Sequence, residues 1–490
     1  MILKKVWGSV WNRSNSGKDL VNHQRAIDVP PLLLSSSSSL GAFDQLPMDI
    51  LVQILMMMEP KDAVKLGLTC KAWKCVASGN RLWIFYLQCS QEPWDSIFFA
   101  ETSLRSGYPL RMISSQSGEL SFMHIYSQRA QVPGSIIIDG GSGYCKFGWS
   151  KYASPSGRSA TFLLASSLLQ HKIVLTSLID RQEFGNIESP IYARLQQFFA
   201  TIFTRMQVKP SMQPIVVSLP LCHFDDTESA KASRRQLKTA IFNVLFDMNV
   251  PAVCAVNQAV LALYAARRTS GIVVNIGFQV ITILPILHGK VMRQVGVEVI
   301  GFGALKLTGF LKEKMQENNI SFQSLYTVRT LKEKLCYVAL DYKAELSKDT
   351  QASVEVSGEG WFTLSKERFQ TGEILFQPRL AGMRAMSLHQ AVSLCMDHCD
   401  AAGLTGDDSW FKTVVLTGGS ACLPGLSERL ERELQDHLPS SISNGIRVIP
   451  PPYGVDTSWH GAKLISNLSI FPGPWCITRK QFRRKSRLMW

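Results

Sequence analysis

The sequence predicts an α/β fold for its larger part and a small all-α domain ahead of it. From residue 134 onward, short apolar runs with the length of buried strands alternate with stretches of helical periodicity. Two of these runs lead into glycine-containing turns, at 136–143 and 272–279, and this repetition indicates an internal duplication. Residues 40–90, by contrast, carry apolar side chains at helical spacing.

The composition predicts a soluble protein, not secreted, in a reducing compartment. Hydrophobic residues make up 46% of the 490 residues and charged residues 18%, which suffices for a buried core. The 11 cysteines are scattered without a CxxC pair, so we expect neither a disulfide framework nor a metal held directly by the protein. The nearest approach to a membrane span, 272–287, is too short and too interrupted, and no secretory signal is evident.

Differences in composition and apolar patterning divide the chain into four parts. Residues 1–39 form a leader that ends in a serine run and is expected to be disordered. Residues 40–90 form the helical domain, 91–131 form an ordered connector rich in aromatic residues, and 132–490 form the α/β domain. The predicted strands include 136–138, 214–220, 272–274 and 413–417, and the predicted helices include 232–248 and 328–346.

The helical domain opens with a helix predicted over 47–58. Pro47 suits its first turn, where a missing N–H costs nothing. A second helix opens at 61–62, and a third apolar set ends at Trp83. A domain of this size buries little surface, so an apolar patch left exposed on it would mark a partner surface. The apolar face of the first helix comprises Ile50, Leu51, Ile54, Leu55 and Met58.

The order of these landmarks strongly resembles the F-box family. Leu46-Pro47 is followed by two apolar pairs, by Cys-Lys-Ala-Trp at 70–73 and by Leu82-Trp83. The resemblance implies three helices that pack against the Skp-type adaptor of a cullin–RING ubiquitin ligase, while the rest of the chain recruits the substrate. The alternative is a generic helical hairpin in which these side chains are only core. The candidate adaptor-binding residues are Leu46, Pro47, Ile50, Leu51, Ile54, Leu55, Trp73, Leu82 and Trp83.

The first glycine-containing turn has the residues that a phosphate-binding loop needs. Glycines at 140, 141 and 143 let backbone N–H groups approach phosphate oxygens without a Cβ clash. Lys146 could neutralise phosphate charge, and Asp139 could hold water molecules of a bound Mg²⁺. An ordinary strand turn is the alternative, because many such turns are rich in glycine.

From residue 132 onward the chain resembles the actin family along nearly its whole length. Segment 138–146 looks like the first phosphate loop of that family, and 258–271 looks like its first connecting segment. Segment 331–341 is close to actin itself, and 417–425 looks like the adenosine loop. An F-box fused to an actin-like body resembles a group of plant actin-related proteins that carry an F-box.

The actin resemblance implies a two-lobed fold with a nucleotide cleft between the lobes. Lobe one would comprise about 132–265 and 457–490, and lobe two about 266–456. The implied cofactor is ATP or ADP with Mg²⁺. The candidate nucleotide-binding residues are Asp139, Gly141, Ser142, Gly143, Lys146, Gln258, Lys332, Glu333, Gly418, Gly419 and Ser420.

Five positions depart from the actin pattern. Asn275 replaces the aspartate that opens the second phosphate loop, and Phe278 and Gln279 bring side chains where backbone should approach phosphate. Thr282 replaces a histidine that orders the attacking water, and Val455 replaces a lysine beside adenine. Because phosphoryl transfer depends on positioning and charge neutralisation, we expect slow or absent hydrolysis and no enzyme. ATP or ADP bound as a structural ligand stays open.

The net charge of +14 lies partly in the C-terminal tail, where 479–490 holds six basic residues and no acidic one. This tail is a solvated end, a nuclear-import signal or a weak contact for nucleic acid. The favoured hypothesis is an F-box subunit of a Skp–cullin–F-box ubiquitin ligase whose degenerate actin-like body recruits an unknown client. Actin and other actin-related proteins are candidate partners, and the expected locations are the nucleus, with the nucleolus, and the cytoplasm.

Two alternatives accompany that hypothesis. The first is an actin-related nucleotide-binding protein of the nucleus or cytoskeleton with weak or no ATPase activity, supported by the first phosphate loop and opposed by the five departures. The second is a nuclear scaffold in a chromatin complex, for which the basic tail is the independent support in the sequence.

Overall fold

The computed structural model describes residues 39–110, 120–141, 143–160, 190–220, 227–403 and 408–488, and the chain divides after Cys89 into two compact units. Almost all of the predicted leader, one predicted phosphate-loop residue, Ser142, and one cysteine, Cys222, lie outside the described residues.

The small unit is all-α, as the sequence predicts. The third predicted apolar set forms two helices instead of one, because Gly79 adopts an extended conformation (ψ 132°) between them. The described part of this unit therefore has four α-helices where three were expected, preceded by the 3₁₀ turn Gly41–Phe43. They are Met48–Met56 (α1), Pro60–Gly67 (α2), Lys71–Ser78 (α3) and Asn80–Gln88 (α4).

The core of the small unit forms where α1 packs against α3 and α4. Leu51 and Leu55 of α1 are buried there together with Trp83 of α4. Two buried polar groups tie the helices together: the Tyr86 hydroxyl donates to the Leu55 carbonyl (2.6 Å) and the Trp83 indole N–H donates to the Ala77 carbonyl (2.7 Å). The aromatic side chains thus bury their rings and still satisfy their polar atoms.

The large unit contains two main β-sheets and a separate hairpin. The strands are Ile136–Gly140 (β1), Tyr144–Trp149 (β2), Gly157–Ala160 (β3), Ile215–Leu219 (β4), Ala252–Asn257 (β5), Gly271–Ile276 (β6), Val280–Leu287 (β7), Lys290–Val291 (β8), Val297–Ile300 (β9), Ala352–Val356 (β10), Gly360–Leu364 (β11), Thr413–Thr417 (β12), Arg447–Ile449 (β13) and Ile477–Thr478 (β14). The first sheet has the strand order β14-β5-β4-β1-β2-β3, and the second has the order β13-β12-β6-β7-β8 with β9 paired to β7.

The predicted duplication is confirmed by strand pairing. In each sheet an antiparallel hairpin, β1–β2 or β6–β7, is followed on one side by two parallel strands, β4 and β5 or β12 and β13. The turns also match, because Gly141 N–H donates to the Tyr144 carbonyl (3.1 Å) and Gly277 N–H donates to the Val280 carbonyl (3.0 Å). The two glycine turns are therefore structural equivalents.

The helices of the large unit form three layers around the two sheets. The helices are Trp94–Ser103 (α5), Phe122–Gln131 (α6), Pro190–Met206 (α7), Glu228–Asp247 (α8), Gln258–Ala265 (α9), Ala304–Glu317 (α10), Leu325–Leu335 (α11), Tyr342–Leu346 (α12), Glu367–Glu373 (α13), Leu388–Ala402 (α14), Leu426–His437 (α15), Ser440–Ser443 (α16), Thr457–Ser466 (α17) and Arg479–Leu488 (α18). The helices α7 and α8 cover one face of the first sheet, α9 and α17 lie between the sheets, and α10, α11, α14 and α15 cover the outer face of the second.

The predicted connector, 91–131, contributes α5 and α6 to the large unit. Ala100 and Leu104 are buried in the layer between the sheets. Glu101 is fully buried, but Arg129 of α6 pairs with its carboxylate (3.0 Å), and the Ser469 N–H (2.9 Å) and hydroxyl (2.7 Å) donate to it. A buried carboxylate with this many donors fixes the connector to the body of the unit.

The prediction of one helix over 328–346 is wrong. The helix α11 ends at Leu335, and α12 begins at Tyr342. Between them the Tyr337 N–H donates to the Arg368 carbonyl (3.4 Å) and the Val338 N–H donates to the Pro424 carbonyl (2.8 Å). Partners distant in sequence take the backbone groups that a continuous helix would have used, so local periodicity could not reveal the break.

No helix in the described ranges is long and apolar enough to cross a membrane, and 272–287 forms β6 and β7. The ten cysteines that the structure describes are free thiols, and no metal-binding cluster of His, Cys, Asp and Glu occurs among the same residues. The tail forms α18, whose Phe482 stacks on Phe242 (centroids 5.2 Å apart).

The helices α9 and α17 approach so closely that Gly461 leaves no room for a side chain. A Cβ at Gly461 would lie 1.8 Å from the Leu261 carbonyl oxygen. A Cβ at Gly309 in α10, by contrast, would have no neighbouring atom within 4 Å. We expect Gly461→Ala to lower the free energy of unfolding by about 1–3 kcal/mol or more. Gly309→Ala should raise it by about 0.5–1 kcal/mol, because alanine favours a helix.

Thermal melting of the two full-length variants checks this prediction. The expected order of melting temperatures is Gly309→Ala, wild type, Gly461→Ala. A Gly461→Ala variant that melts at the same temperature as the wild type would show that α9 and α17 can move apart without loss of stability.

Candidate functional site

The candidate site lies where the turns of the two equivalent hairpins meet. Strand β1 ends at Gly140 and delivers Asp139 to the first turn, and β6 ends at Ile276 ahead of the second. A Cβ built on Gly143 would lie 3.4 Å from the Phe278 ring, so the turns are in contact. A third segment, the end of β12 with Gly418 to Ser420, runs beside β6.

Asp139 is the centre of the polar network, being only 1% exposed. One carboxylate oxygen accepts hydrogen bonds from the Ser218 hydroxyl (2.6 Å) and the Gln258 amide (2.8 Å), and the other pairs with Lys146 Nζ (3.3 Å). The Gly140 N–H donates to the Ser218 hydroxyl oxygen (3.0 Å). The structure therefore brings together three predicted residues, and the protein itself satisfies the carboxylate.

Lys146 is also engaged on its far side. Its ammonium group donates to the carbonyl of Val455, the residue that stands where actin has a lysine. Next to it, Asp456 pairs with Arg158 of β3. These contacts join β2 and β3 to residues 455 and 456, and they place the positive charge of Lys146 between Asp139 and a backbone carbonyl.

The backbone carbonyls of the second turn are hydrogen-bonded to the start of α10. The Gly277 and Phe278 carbonyls accept hydrogen bonds from the N–H groups of Ala304 and Leu305 (both 2.9 Å), at the start of α10. A Cβ on Gly303 would lie 2.7 Å from the Gly277 carbonyl, so the turn and the helix start are in close contact. Donors that open a helix, and could attract an anion, are here bonded to the turn.

The residues predicted to bind the phosphates and the magnesium do not fit that cofactor as a set. Asp139 and Lys146 have suitable chemistry, but Phe278 lies against Gly143, where backbone should face a phosphate. Asn275 carries no charge to hold the waters of a metal ion. The Thr282 hydroxyl is buried and forms no hydrogen bond to the described residues. We therefore derive no hydrolysis step from this site.

Two residues predicted to reach the nucleoside, Lys332 and Glu333, lie in different environments. Lys332 is buried, its ammonium group lies 3.5 Å from the Ala304 carbonyl, and burial lowers its pKa. Glu333 is half exposed and pairs with Arg329 (2.7 Å). The Arg329 guanidinium lies 4.1 Å from the centre of the Tyr144 ring and donates to its hydroxyl, which links α11 to β2.

The segment from Gly418 to Ser420 passes close to the backbone at the end of β6. Gly418 has a φ of +98°, and a Cβ there would lie 2.3 Å from the Ile276 carbonyl. Gly419 has open space beside it. The Ser420 hydroxyl is buried and forms no hydrogen bond to the described residues. This segment therefore has a buried hydroxyl without a hydrogen-bond partner among the described residues, and space for a Cβ beside Gly419.

The nine candidate adaptor-binding residues divide into two groups. Leu46, Pro47 and Ile50 are exposed at the start of α1, and Ile54 is partly exposed. The other five are core residues of the small unit, so they shape the exposed surface and cannot contact a partner without opening the domain. These five are Leu51, Leu55, Trp73, Leu82 and Trp83.

The structure adds site residues that the sequence prediction missed. Ser218 bonds to Asp139, Arg329 stacks on Tyr144, and Arg158 pairs with Asp456. Of these only Ser218 carries a signal in the sequence, as a polar residue inside an apolar strand between two prolines. The other pairs join residues more than 180 positions apart.

Comparison with known proteins identifies the class of protein. A family model described as Actin matches residues 193–330 and 313–485, and one described as F-box-like matches residues 43–88. The chain therefore belongs to the actin family and carries an F-box-like domain near its N-terminus. The α/β class and the fusion predicted from the sequence are confirmed.

Three relatives show how closely this combination is matched. The chain is 96% identical over 490 residues to an Actin-related protein 8 of Arabidopsis thaliana, covering 100% of both chains. It is 61% identical over 491 residues to Actin-related protein 8 of Oryza sativa subsp. indica and of subsp. japonica, covering 99% of this chain and 98% of each relative. The predicted resemblance to plant actin-related proteins with an F-box is confirmed.

The contact between Phe278 and Gly143 predicts that removing the ring opens the phosphate position. We expect Phe278→Gly to bind MgADP more tightly than the wild type, whereas Phe278→Leu, which keeps the bulk, should not. Ligand at about 100 times its Kd adds about 2.7 kcal/mol to the stability of the folded state, so thermal shift with MgADP reports the difference. A wild type that gains as much stability as Phe278→Gly would contradict this prediction.

Proposed function

We propose that the protein is a non-catalytic subunit of a Skp–cullin–F-box ubiquitin ligase. In this proposal the F-box-like domain binds a Skp-type adaptor and, through it, a cullin. The actin-like body recruits a client protein or presents it as a scaffold. The observation that carries the proposal is the exposed apolar surface of the F-box-like domain.

The exposed apolar side chains of this domain lie ahead of α1, in its first turn, and in the turns after α1 and α2. Burying a side chain of this size stabilises a complex by about 1.5–3 kcal/mol. Several of them exposed on so small a domain are typical of a partner surface. The surface comprises Phe43, Leu46, Met48, Ile50, Met57 and Leu68.

The adaptor hypothesis predicts that Leu46→Ala combined with Pro47→Ala loses the adaptor. Both residues are exposed, so the domain should stay folded while the apolar contact disappears. Leu380→Ala is the matched control, because Leu380 is 43% exposed, close to the 38% of Leu46, but belongs to the actin-like body. Co-purification of a Skp-type adaptor with each full-length variant measures the effect, and circular dichroism checks folding.

The expected result is adaptor capture by the wild type and by Leu380→Ala, with loss of capture by the double variant. Equal capture by the wild type and the double variant would contradict the docking surface, and loss by Leu380→Ala as well would show that the loss is not specific to the F-box-like domain.

We further propose that the actin-like body does not turn over ATP. Proteins of the actin family generally bind ATP or ADP with Mg²⁺. Asp139 and Gln258 are retained here, but the neutral Asn275 and the ring of Phe278 support loss of catalysis. One preorganised polar contact in a transition state is worth about 3 kcal/mol, so the loss of several raises the barrier strongly.

A phosphate-release assay with MgATP tests this proposal. The wild type should release phosphate no faster than Gln258→Ala, because the neutral Asn275 and the Phe278 ring remove groups that catalysis needs whether or not Gln258 is present. Turnover by the wild type that Gln258→Ala abolishes would show that the body is an ATPase.

A further inference from the structure

One side of α1 carries apolar side chains that do not face the core of the small unit. Ile50, Ile54 and Met57 are separated by four and three residues, so they project to the same side of the helix. Ile50 is 37% exposed, Ile54 is partly exposed and Met57 is 89% exposed. Met57 follows the last residue of α1 and keeps a helical backbone conformation (φ −83°, ψ −11°). These three residues, the outer stripe of α1, therefore present apolar surface along about two turns of helix.

The first 13 residues of the chain, which precede the described residues, carry a complementary pattern. Apolar residues recur there at 2, 3, 6, 7, 10 and 11, which is the spacing of a helix with one apolar side. Trp7 and Trp11 are four residues apart in this pattern. Tryptophan is among the residues that contribute most to binding at interfaces. The sequence thus provides an apolar segment of a length that matches the outer stripe of α1.

The chain between the two is long enough to bring them together. Residues 12–38 separate the N-terminal pattern from Ser39, where the described chain begins. Ser39 lies beside the start of α1, because its hydroxyl donates to the Asp44 carboxylate (2.6 Å). A chain of this length with random-coil statistics spans about 26–31 Å on average, about twice the length of α1. Such a tether holds the segment near the stripe at a local concentration on the order of 1 mM.

Charge favours the same pairing. Residues 1–13 contain three basic residues and no acidic one. Acidic side chains lie at both ends of α1, where Asp49 in its first turn and Glu59 just beyond it are exposed. Glu59 pairs with Lys61 (2.6 Å), but both side chains of this pair are more than 60% exposed, and ion pairs of this kind are weak. Opposite charges at the rim of an apolar contact orient the two partners.

We propose that residues 2–11 bind the outer stripe of α1 in the same chain and compete there with the adaptor. The competition rests on the proposed adaptor role, whereas the binding of the segment does not. A local concentration on the order of 1 mM acting on a weak site, with a Kd of about 0.1 mM, covers the stripe about ten times more often than it is free. The adaptor then binds the intact chain about tenfold more weakly than it binds an uncovered stripe.

Oxidation of Met57 in the full-length protein tests the covering directly. Hydrogen peroxide converts an accessible methionine thioether to the sulfoxide and is itself reduced to water. We expect Met57 to be oxidised about tenfold faster in Trp7→Ser with Trp11→Ser than in the wild type, because the stripe is then uncovered. Met212, which is 68% exposed in the actin-like body, is the internal control and should react equally in both proteins. Peptide mass spectrometry measures the two rates.

Leu32→Ser with Leu33→Ser is the matched control variant, because it removes two large apolar side chains from the leader outside residues 2–11. Met57 should stay as protected in this variant as in the wild type. Equal Met57 oxidation in the wild type and the tryptophan variant would overturn the proposal, and so would equal deprotection by the leucine variant. Protection that disappears on dilution would assign the cover to a second copy of the chain and overturn it as well.

A lipid surface is the other partner that a basic segment with one apolar side can bind. Flotation of the wild type with phosphatidylserine vesicles, together with Met57 oxidation as fast as in the tryptophan variant, would assign residues 2–11 to a membrane and overturn the proposal.

Titration of each full-length variant with a Skp-type adaptor tests the competition. The tryptophan variant should bind about tenfold more tightly than the wild type and the leucine variant. Protection of Met57 without adaptor binding by any variant would keep the covering and contradict the adaptor role. Equal adaptor affinities with Met57 unprotected would keep the adaptor role and contradict the covering. Equal affinities despite protection of Met57 would overturn the competition.

Discussion

The helical layer between the two sheets determines the geometry of the large unit. The helices α9 and α17 meet at Gly461, where the Leu261 carbonyl leaves no space for a Cβ. Strand β1 packs against α17 and β6 packs against α9, so the two hairpin turns are positioned by the same layer. Protein interiors are packed as densely as organic crystals, and therefore this spacing does not adjust freely to a ligand. The packing of α9 against α17 therefore sets the distance between the two turns.

The residues of the first turn have a structural role in this arrangement. Asp139 lies at the edge of the packed layer and is almost fully buried, and a buried carboxylate without donors costs several kcal/mol. Ser218, Gln258 and Lys146 supply those donors. The network thus has a structural role that does not require a nucleotide. Phe278 has no such network and fills the space between the turns.

The parts of the fold that were predictable are those encoded locally. The strands at 136–138, 272–274 and 413–417 are continuous apolar runs that must be buried on both faces, and each occurs where it was expected. The break after Leu335 was not predictable, because the backbone partner of Val338 is the Pro424 carbonyl, far along the chain.

The candidate sites show the same limit. Periodicity assigns Ile50 and Leu51 to one apolar face, but only packing shows that Leu51 is buried and Ile50 is 37% exposed. Ser218 is visible in the sequence as a polar residue within an apolar strand, whereas its hydrogen bond to Asp139 exists only through the fold. Local patterns therefore predict which chemistry is present, and tertiary contacts decide which side chains share a site.

The proposed adaptor surface should respond to salt in the way that apolar contacts do. The surface of the F-box-like domain is apolar, and burial of apolar area is strengthened by salts that are excluded from protein surfaces. Interactions between charges in contact with solvent instead weaken as the Debye length shortens. An adaptor held by this surface should consequently stay bound at salt concentrations that release partners held by exposed charges.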